Sequence, residues 1–189
     1  AGRQQAEELR ERFEREGLKP THLYCSPLRR TQETAEIISR SWSLPITYWD
    51  DLMEHGLGIV SGLTVGEIRE KHPEIDVESE EARGFSGVEG AEALATRRKR
   101  GQRVVDEALR LHRDDDAVVM VCHGGIIQQM VAAVMQSSRV WAVPVKNTAV
   151  FEFAFGAPVS PSDDDALLDN YRLWRIVRFN DASHLRRLA

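Results

Sequence analysis

The chain has 189 residues, of which 42% are hydrophobic. It is therefore long enough to bury the core of one domain, and its composition argues against wholesale disorder. With 25 Lys and Arg against 30 Asp and Glu the net charge is −5, which argues against a general nucleic-acid binder. There is no apolar run of membrane-spanning length and no segment resembling a signal peptide, and the two cysteines fit a reducing compartment. We therefore expect a cytoplasmic protein.

The first half of the chain predicts alternating helices and strands. Ala6, Leu9 and Phe13 recur at helical spacing, and Gly17 follows as a plausible C-terminal cap. Residues 74–89 read as irregular. The predicted elements are, in chain order, a helix over 2–16, a strand over 21–25, a helix over 28–41, a strand over 46–49, and a short helix that begins with a Thr64–Glu67 capping box and ends near Pro73.

The second half continues the alternation and then turns to strands. Its predicted elements are a helix over 91–112, the most apolar strand over 117–122, a helix over 126–137, and strands over 148–154 and 171–178 separated by a flexible loop over 156–165. This order predicts an α/β fold, a three-layer sandwich in which helices cover both faces of a mostly parallel sheet. Ligands bind beyond the carboxyl ends of the strands in such sheets.

Polar residues follow two of these predicted strand ends. His123-Gly124-Gly125 opens a helix, where the glycines admit a ligand to the backbone and the helix N-terminus favours an anion. An imidazole there could hold a phosphate oxygen or attack it; the alternative is a histidine that only caps the helix. Arg29 and Arg30 begin another helix, where a bound anion would offset their unfavourable interaction with the helix dipole. Solvated arginines are the alternative, which we favour for Arg29.

Glu54 lies in a glycine-rich loop after a predicted strand. A neighbouring phosphate would raise the pKa of its carboxyl group by like-charge repulsion, so Glu54 could serve as a general acid. Other conspicuous residues favour structural interpretations. The basic run over residues 97–100, with Arg103, predicts a solvated helix face. Cys25 and Cys122 predict small apolar side chains, with a reactive thiol as the alternative.

Several ordered motifs resemble the histidine phosphatase superfamily, also called the phosphoglycerate mutase-like family. They run from end to end of the chain, and the tail over 180–185 resembles one found in the phosphatase branch. The motifs are Gly2-Arg3-Gln4-Gln5-Ala6, the Ser-Pro-Leu-x-Arg pattern within residues 24–35, Glu54 with Gly58 and Gly62-Leu63-Thr64, and Val121-Cys122-His123-Gly124-Gly125.

The resemblance implies hydrolysis of phosphate monoesters through a phosphohistidine intermediate. It assigns Arg30 and Gly124 to the phosphate pocket and Glu54 to proton donation to the leaving oxygen. It assigns His123 to the second, non-nucleophilic histidine, which holds the transferring phosphoryl group. We expect a small phosphorylated metabolite as partner, no nucleic acid, no membrane and no cofactor, and a homodimer stays open. No cluster of His, Asp or Cys has metal-ligand spacing in the sequence, so no metal is expected.

The family's nucleophile is the histidine of an Arg-His-Gly motif, and none of the six histidines here follows an arginine and precedes a glycine. We therefore expect residues 1–189 to form a single domain, incomplete at its N-terminus, with a cap-like insertion around 63–116. The expected upstream stretch has about 30–45 residues and adds a strand between those at 117–122 and 148–154. One alternative is a non-catalytic relative that binds phosphorylated ligands; another is a phosphoglycerate mutase, which the modest cap disfavours.

Overall fold

The computed structural model describes residues 1–139, 143–156 and 174–185. Two single 3-10 turns, Asp50–Leu52 and Gly58–Val60, flank the segment that contains Glu54. The helices and strands are α1 (Gly2–Glu16), β1 (His22–Cys25), α2 (Arg29–Ile38), β2 (Ile46–Tyr48), α3 (Val65–Lys71), α4 (Val77–Ala82), α5 (Leu94–Leu111), β3 (Val118–Val121), α6 (Gly124–Val134), β4 (Val150–Phe155) and β5 (Trp174–Asp181).

The predicted order of elements is confirmed, with one correction in the stretch predicted to be irregular. Residues 74–89 contain helix α4, which Asp76 caps by accepting a hydrogen bond from the Ser79 N–H at 3.2 Å. The capping box of α3 is present as predicted, because the Thr64 and Glu67 side chains each bind the other's backbone N–H. Apart from residue 156, the predicted loop over 156–165 lies outside the described residues.

The main sheet is parallel, with strand order β2-β1-β3. Cys25, the last residue of β1, lies opposite Val121, the last residue of β3, so the carboxyl ends of these strands meet at one edge. The α/β fold with a parallel sheet is thus confirmed. The last two strands, β4 and β5, form a separate antiparallel pair. In the described part of the chain β3 pairs only with β1 and β4 only with β5, and an additional strand between β3 and β4 stays a prediction.

Two apolar clusters stabilise the fold. In the main cluster, Leu9 and Phe13 of α1 and Ile38 of α2 pack against Val119 and Val121 of β3. On another side α5 packs against α6. None of the described helices is both long and apolar enough to cross a bilayer.

A second cluster is formed within residues 57–91 and is built around Val60, Ile68, Val77 and Val88. Gly58 allows this segment to close on itself, since its φ is +63° and a Cβ there would collide with the backbone of residues 89–91. The cluster lies within the predicted cap-like insertion and its immediate approach, although the division into domain and cap stays a prediction.

Candidate active site

A cleft of about 480 Å³ opens at the carboxyl ends of β1 and β3. All four site residues proposed from the sequence, Arg30, Glu54, His123 and Gly124, line it. The sheet explains this arrangement, because parallel strands bring their following residues to the same edge. A larger groove of about 570 Å³, bordered by residues of α5 and α6, contains none of these four residues.

His123 is buried at the base of the cleft, and both of its ring nitrogens have partners. Arg30 Nε lies 3.1 Å from His123 Nδ1, and the Ser26 hydroxyl lies 2.8 Å from His123 Nε2. An arginine N–H can only donate, so Nδ1 must accept and the proton of the neutral ring must be on Nε2. Burial and the positive charge of Arg30 lower the pKa of His123 to about 4. The ring is therefore neutral at pH 7, with Nε2–H donating to Ser26.

Ser26 was not singled out as a site residue from the sequence, although it belongs to the recognised Ser-Pro-Leu-x-Arg pattern. It is fully buried directly after β1. Its hydroxyl accepts a hydrogen bond from the Leu28 N–H at 3.4 Å, and its carbonyl accepts one from the Thr31 hydroxyl at 3.0 Å. These contacts fix the turn between β1 and α2, so Ser26 orients the imidazole of His123.

Arg29 and Arg30 have different surroundings, as the sequence suggested. The side chain of Arg29 is 87% exposed and pairs with Glu33, one helical turn away, at 3.1 Å. Arg30 lines the cleft and contacts His123. Of these two arginines, Arg30 is therefore the one placed to meet a bound anion in this cleft.

Glu54 reaches the same place from the loop after β2. Its carboxylate accepts hydrogen bonds from the Gly125 N–H at 3.2 Å and the His55 N–H at 3.0 Å, and His55 Nδ1 lies 2.9 Å away. Burial alone would raise the pKa of Glu54, but the His55 ring and these two N–H groups outweigh it and lower the pKa to about 2. The predicted rise depends on a neighbouring phosphate dianion; the protein's own groups have the opposite effect.

The close approach of Glu54 and His55 to the first turn of α6 depends on glycine at position 125. A Cβ at position 125 would collide with the carboxylate of Glu54 and the ring of His55. Any other residue at the start of α6 would therefore push the carboxylate away from the helix N-terminus.

The predicted solvated face of α5 is wrong for two of its arginines. Arg97 and Arg100 are 3% and 8% exposed. Arg100 grips the carboxylate of Glu92 with two nitrogens, at 3.0 and 2.6 Å, and donates to the carbonyls of Asp51 and Met53 at 2.8 and 2.6 Å. These carbonyls belong to residues one and three positions before Glu54. Arg100 is therefore a positioning residue for the Glu54 loop, and its acceptors explain why a charged side chain can be buried there.

Arg97, one turn earlier on α5, also donates hydrogen bonds to backbone carbonyl groups. It donates to the carbonyls of Glu92 and Gly84, at 2.7 and 2.8 Å. Arg103 is about half exposed and pairs with the carboxylate of Asp51 at 2.8 Å. Arg100 from its buried side and Arg103 from its exposed side thus hold the loop that carries Glu54, whereas Arg97 binds the segment before α5.

The C-terminal tail supports the opposite wall of the cleft. Arg12 of α1 pairs with Asp181 at 2.5 Å, and its Nη1 lies 3.4 Å from His184 Nδ1. The other ring nitrogen of His184 lies 2.9 Å from the hydroxyl of Thr148, which lines the cleft. Asn180 also binds this wall, through the Lys146 N–H at 3.2 Å.

Neither cysteine behaves as a reactive thiol. Burial raises the pKa of Cys25 to about 11 and that of Cys122 to about 12. Both thiols are therefore protonated at pH 7 and serve as small apolar groups, which was the favoured interpretation from the sequence.

Two basic residues near the cleft were not identified from the sequence as site candidates. Arg3 of α1 and Lys146 also line it. Arg3 pairs with Glu33 at 3.1 Å. Together with Arg30, these groups add positive charge to a cleft lining that also contains Glu33 and Glu54, and positive charge suits an anion.

A family model described as histidine phosphatase superfamily, branch 1, matches residues 1–158. The chain is 30% identical over 187 residues to the phosphoglycerate mutase-like protein 4 of Arabidopsis thaliana, covering 98% of this chain and 74% of that protein. It is 30% identical over 150 residues to phosphoserine phosphatase 1 of Hydrogenobacter thermophilus, covering 78% of this chain and 70% of that protein.

Solved structures agree in fold. The chain superposes on Bacillus stearothermophilus YhfR with a TM-score of 0.76 at 24% identity, covering 97% of this chain and 84% of that one. It superposes on a mycobacterial glucosyl-3-phosphoglycerate phosphatase, solved with inorganic phosphate, with a TM-score of 0.72 at 22% identity, covering 97% of this chain and 87% of that one.

Proposed function

Because the chain belongs to the histidine phosphatase superfamily, we propose that it forms the phosphate pocket of a phosphomonoester hydrolase that works through a phosphohistidine intermediate. The observation that carries the proposal is the meeting of Arg30, Glu54 and His123 in one cleft. An arginine to grip phosphoryl oxygens, a carboxyl group to move a proton and an imidazole beside a helix N-terminus are the groups that phosphoryl transfer requires. The relatives named for phosphoserine and glucosyl-3-phosphoglycerate support a small phosphorylated metabolite as substrate.

His123 is suited to hold the phosphoryl group and is poorly suited to attack it. An attacking imidazole needs a free nitrogen lone pair. In His123 the only lone pair, on Nδ1, is occupied by the N–H of Arg30, and Nε2 carries the proton. We assign His123 to orient Arg30 and to offer Nε2–H to a phosphoryl oxygen in place of Ser26. The nucleophile is then a further histidine, predicted to lie in an Arg-His-Gly segment upstream of residue 1.

Glu54 carries the proton in both halves of the proposed reaction. In the first half the nucleophile forms a P–N bond, the ester P–O bond breaks, and the leaving oxygen takes the proton of Glu54. In the second half water attacks phosphorus, the P–N bond breaks and regenerates the histidine, one proton of the water passes to Glu54, and inorganic phosphate is freed. Glu54 is ionised before substrate binds, because its pKa is about 2. We infer that the first proton arrives with the monoanion of the substrate, whose second pKa is about 6.

Phosphate release by the full-length gene product tests this function. We expect turnover of alkyl phosphates such as phosphoserine and 3-phosphoglycerate, strongly reduced in Glu54→Gln. Glu70→Gln, on the exposed face of α3, is the matched control and should retain wild-type activity. Binding of inorganic phosphate without any release from esters would favour the non-catalytic relative, which the lack of an Arg-His-Gly motif in residues 1–189 keeps in view. Transfer of phosphate between positions of phosphoglycerate, without release, would identify a mutase.

A further inference from the structure

A second group of side chains that can offer ligand atoms lies at the opposite edge of the parallel sheet, where the strands begin. His22 is the first residue of β1, Asp116 lies just before β3, and His112 caps the C-terminus of α5. Each can offer one ligand atom, and these three atoms lie within 4.8 Å of one another. Within the described ranges no other set of three His, Cys, Asp or Glu residues meets this condition.

His112 makes the cluster more than a chance meeting of surface groups. Its side chain is only 8% exposed, yet neither ring nitrogen has a hydrogen-bond partner among the described residues. The ring packs at 4.3 Å from the ring of His22 and 5.5 Å from that of Tyr24. A phenylalanine would fill such a site without leaving buried polar atoms unpaired, so the histidine points to a ligand that the protein itself does not supply.

We infer that His22, His112 and Asp116 bind a divalent transition-metal ion, with Zn²⁺ as the closest chemical match. Two imidazoles and one carboxylate with an open fourth position are a common zinc ligand set. The carboxylate of Asp116 lies 3.7 Å from Nδ1 of His22 and 3.7 Å from Nδ1 of His112. Tetrahedral zinc with the usual bond lengths needs ligand atoms about 3.3 Å apart, so small side-chain rotations suffice.

The surroundings already hold one of the ligands in place, because the backbone N–H of Arg113 donates to the carboxylate of Asp116 at 2.9 Å. The hydroxyl of Thr21 lies 2.9 Å from Nδ1 of His22, so a bound ion would take the place of this contact. His22 is 44% exposed, so an ion can enter from its side. A bound ion would join α5, β1 and the turn before β3, far from Glu54 and His123, and the inference does not depend on the proposed function.

The test is zinc binding to tag-free, chelator-treated protein, measured by competition with a chromophoric chelator and by the thermal unfolding midpoint. We expect one Zn²⁺ per chain and a raised midpoint. His112→Phe, which keeps the ring and removes both ligand atoms, should weaken binding by at least about 100-fold, beyond what changes to supporting residues usually cost. Asp116→Asn, at a partly exposed position, makes the same test if His112→Phe fails to fold.

His72→Phe is the matched control, because His72 faces Glu74 at 3.3 Å without a third ligand among the described residues. It should bind Zn²⁺ as the wild type does. Binding of less than one equivalent, or equal binding by His112→Phe and Asp116→Asn, would overturn the inference. Substitution with Co²⁺ adds an independent readout: intense visible absorption indicates the expected tetrahedral site, and the weak absorption of an octahedral ion contradicts it.

Discussion

His123 and His112 lie at opposite edges of the same sheet, and both are more than nine-tenths buried. At the carboxyl edge, His123 has Arg30 on one ring nitrogen and Ser26 on the other. At the amino edge, the ring of His112 meets another ring and a carboxylate, and within the described residues its nitrogens have no partner. Both imidazole rings are therefore buried, but their hydrogen-bonding status is opposite.

This difference indicates which kind of ligand each edge of the sheet can bind. Where the protein satisfies every nitrogen of the histidine, the ring has a fixed tautomer and is preorganised for an anion that brings only acceptors. Where neither ring nitrogen has a hydrogen-bond partner, the ring can offer a nitrogen lone pair to a metal ion. The burial of a histidine thus says little about its chemistry until its partners are known.

The largest effect should come from the carboxylate at the carboxyl edge. Glu54→Gln should slow hydrolysis of alkyl phosphates by about 10²- to 10⁴-fold, because the leaving oxygen then departs without a proton. The loss should be much smaller with p-nitrophenyl phosphate, whose leaving group needs none. Steady-state kinetics on both substrates check this. An equal loss on both would remove Glu54 from the acid role.

Arg30 and Arg29 are adjacent at the start of α2, so paired substitutions test which of them contributes to anion binding at the carboxyl edge. Losing a hydrogen bond to a charged group costs about 1.5–3 kcal/mol, so Arg30→Ala should weaken inhibition by inorganic phosphate by about 10- to 150-fold. Arg29→Ala should change it little, since that side chain is 87% exposed. Comparable losses at both positions would show that the register assigned at the end of β1, which distinguishes Arg30 from Arg29, is wrong.

Arg100 tests whether the Glu54 loop needs its buried support. Lysine cannot reproduce the two-nitrogen contact with Glu92 and the bonds to the Asp51 and Met53 carbonyls. Arg100→Lys should lower kcat for alkyl phosphates about tenfold, less than the ~100-fold cost of a 1 Å misplacement. The loss should again be smaller with p-nitrophenyl phosphate, as expected for a residue that acts through Glu54. Arg110→Lys is the control, because Arg110 lies on the exposed side of the same helix and pairs with Glu107. A uniform loss on both substrates would indicate general destabilisation instead.

The remaining expected effects are on stability against pH, and they fall in two windows. The pKa of His123 is lowered to about 4, so the unfolded chain takes up a proton before the folded one does, and stability is lost as pH falls from about 6.5 to 4. The pKa of Glu54 is lowered to about 2, so its contribution is complete above about pH 4.5 and is lost as pH falls to about 2. Urea unfolding of His123→Gln and Glu54→Gln should flatten the first and second windows respectively. Parallel pH profiles for wild type and variant would contradict the assigned shifts.

The carboxyl edge could be predicted from the sequence because its signals are local. The apolar strand before His123, the two glycines after it and the helix that follows occupy one continuous stretch, so the side chain had to lie at a strand end. Arg30 followed the same logic from β1. The resemblance to a family then supplied the role of Glu54.

The buried arginines of α5 and the amino-edge cluster could not be predicted, because both depend on contacts between distant segments. Arg100 is buried only because Glu92 and the loop at 51–53 converge on it, and a run of four basic residues is otherwise solvated. His22 and His112 are far apart in sequence and meet only through the pairing of β1 with β3 and the end of α5. Helix α4 is a different case: Asp76 carried a capping signal, but a six-residue helix is too short to show periodicity.

The self-contained apolar cluster of residues 57–91 has a consequence for how this protein could be re-engineered. Its members pack on each other. Helix α5 binds the segment through Arg97, which donates to the Gly84 carbonyl, and binds the residue just after it through Arg100, which pairs with Glu92. The segment could therefore be replaced as a unit, because its contacts with α5 are defined at residues 84 and 92. A replacement of different length and surface that keeps Glu92 and a carbonyl for Arg97 would leave the Glu54 loop anchored to α5.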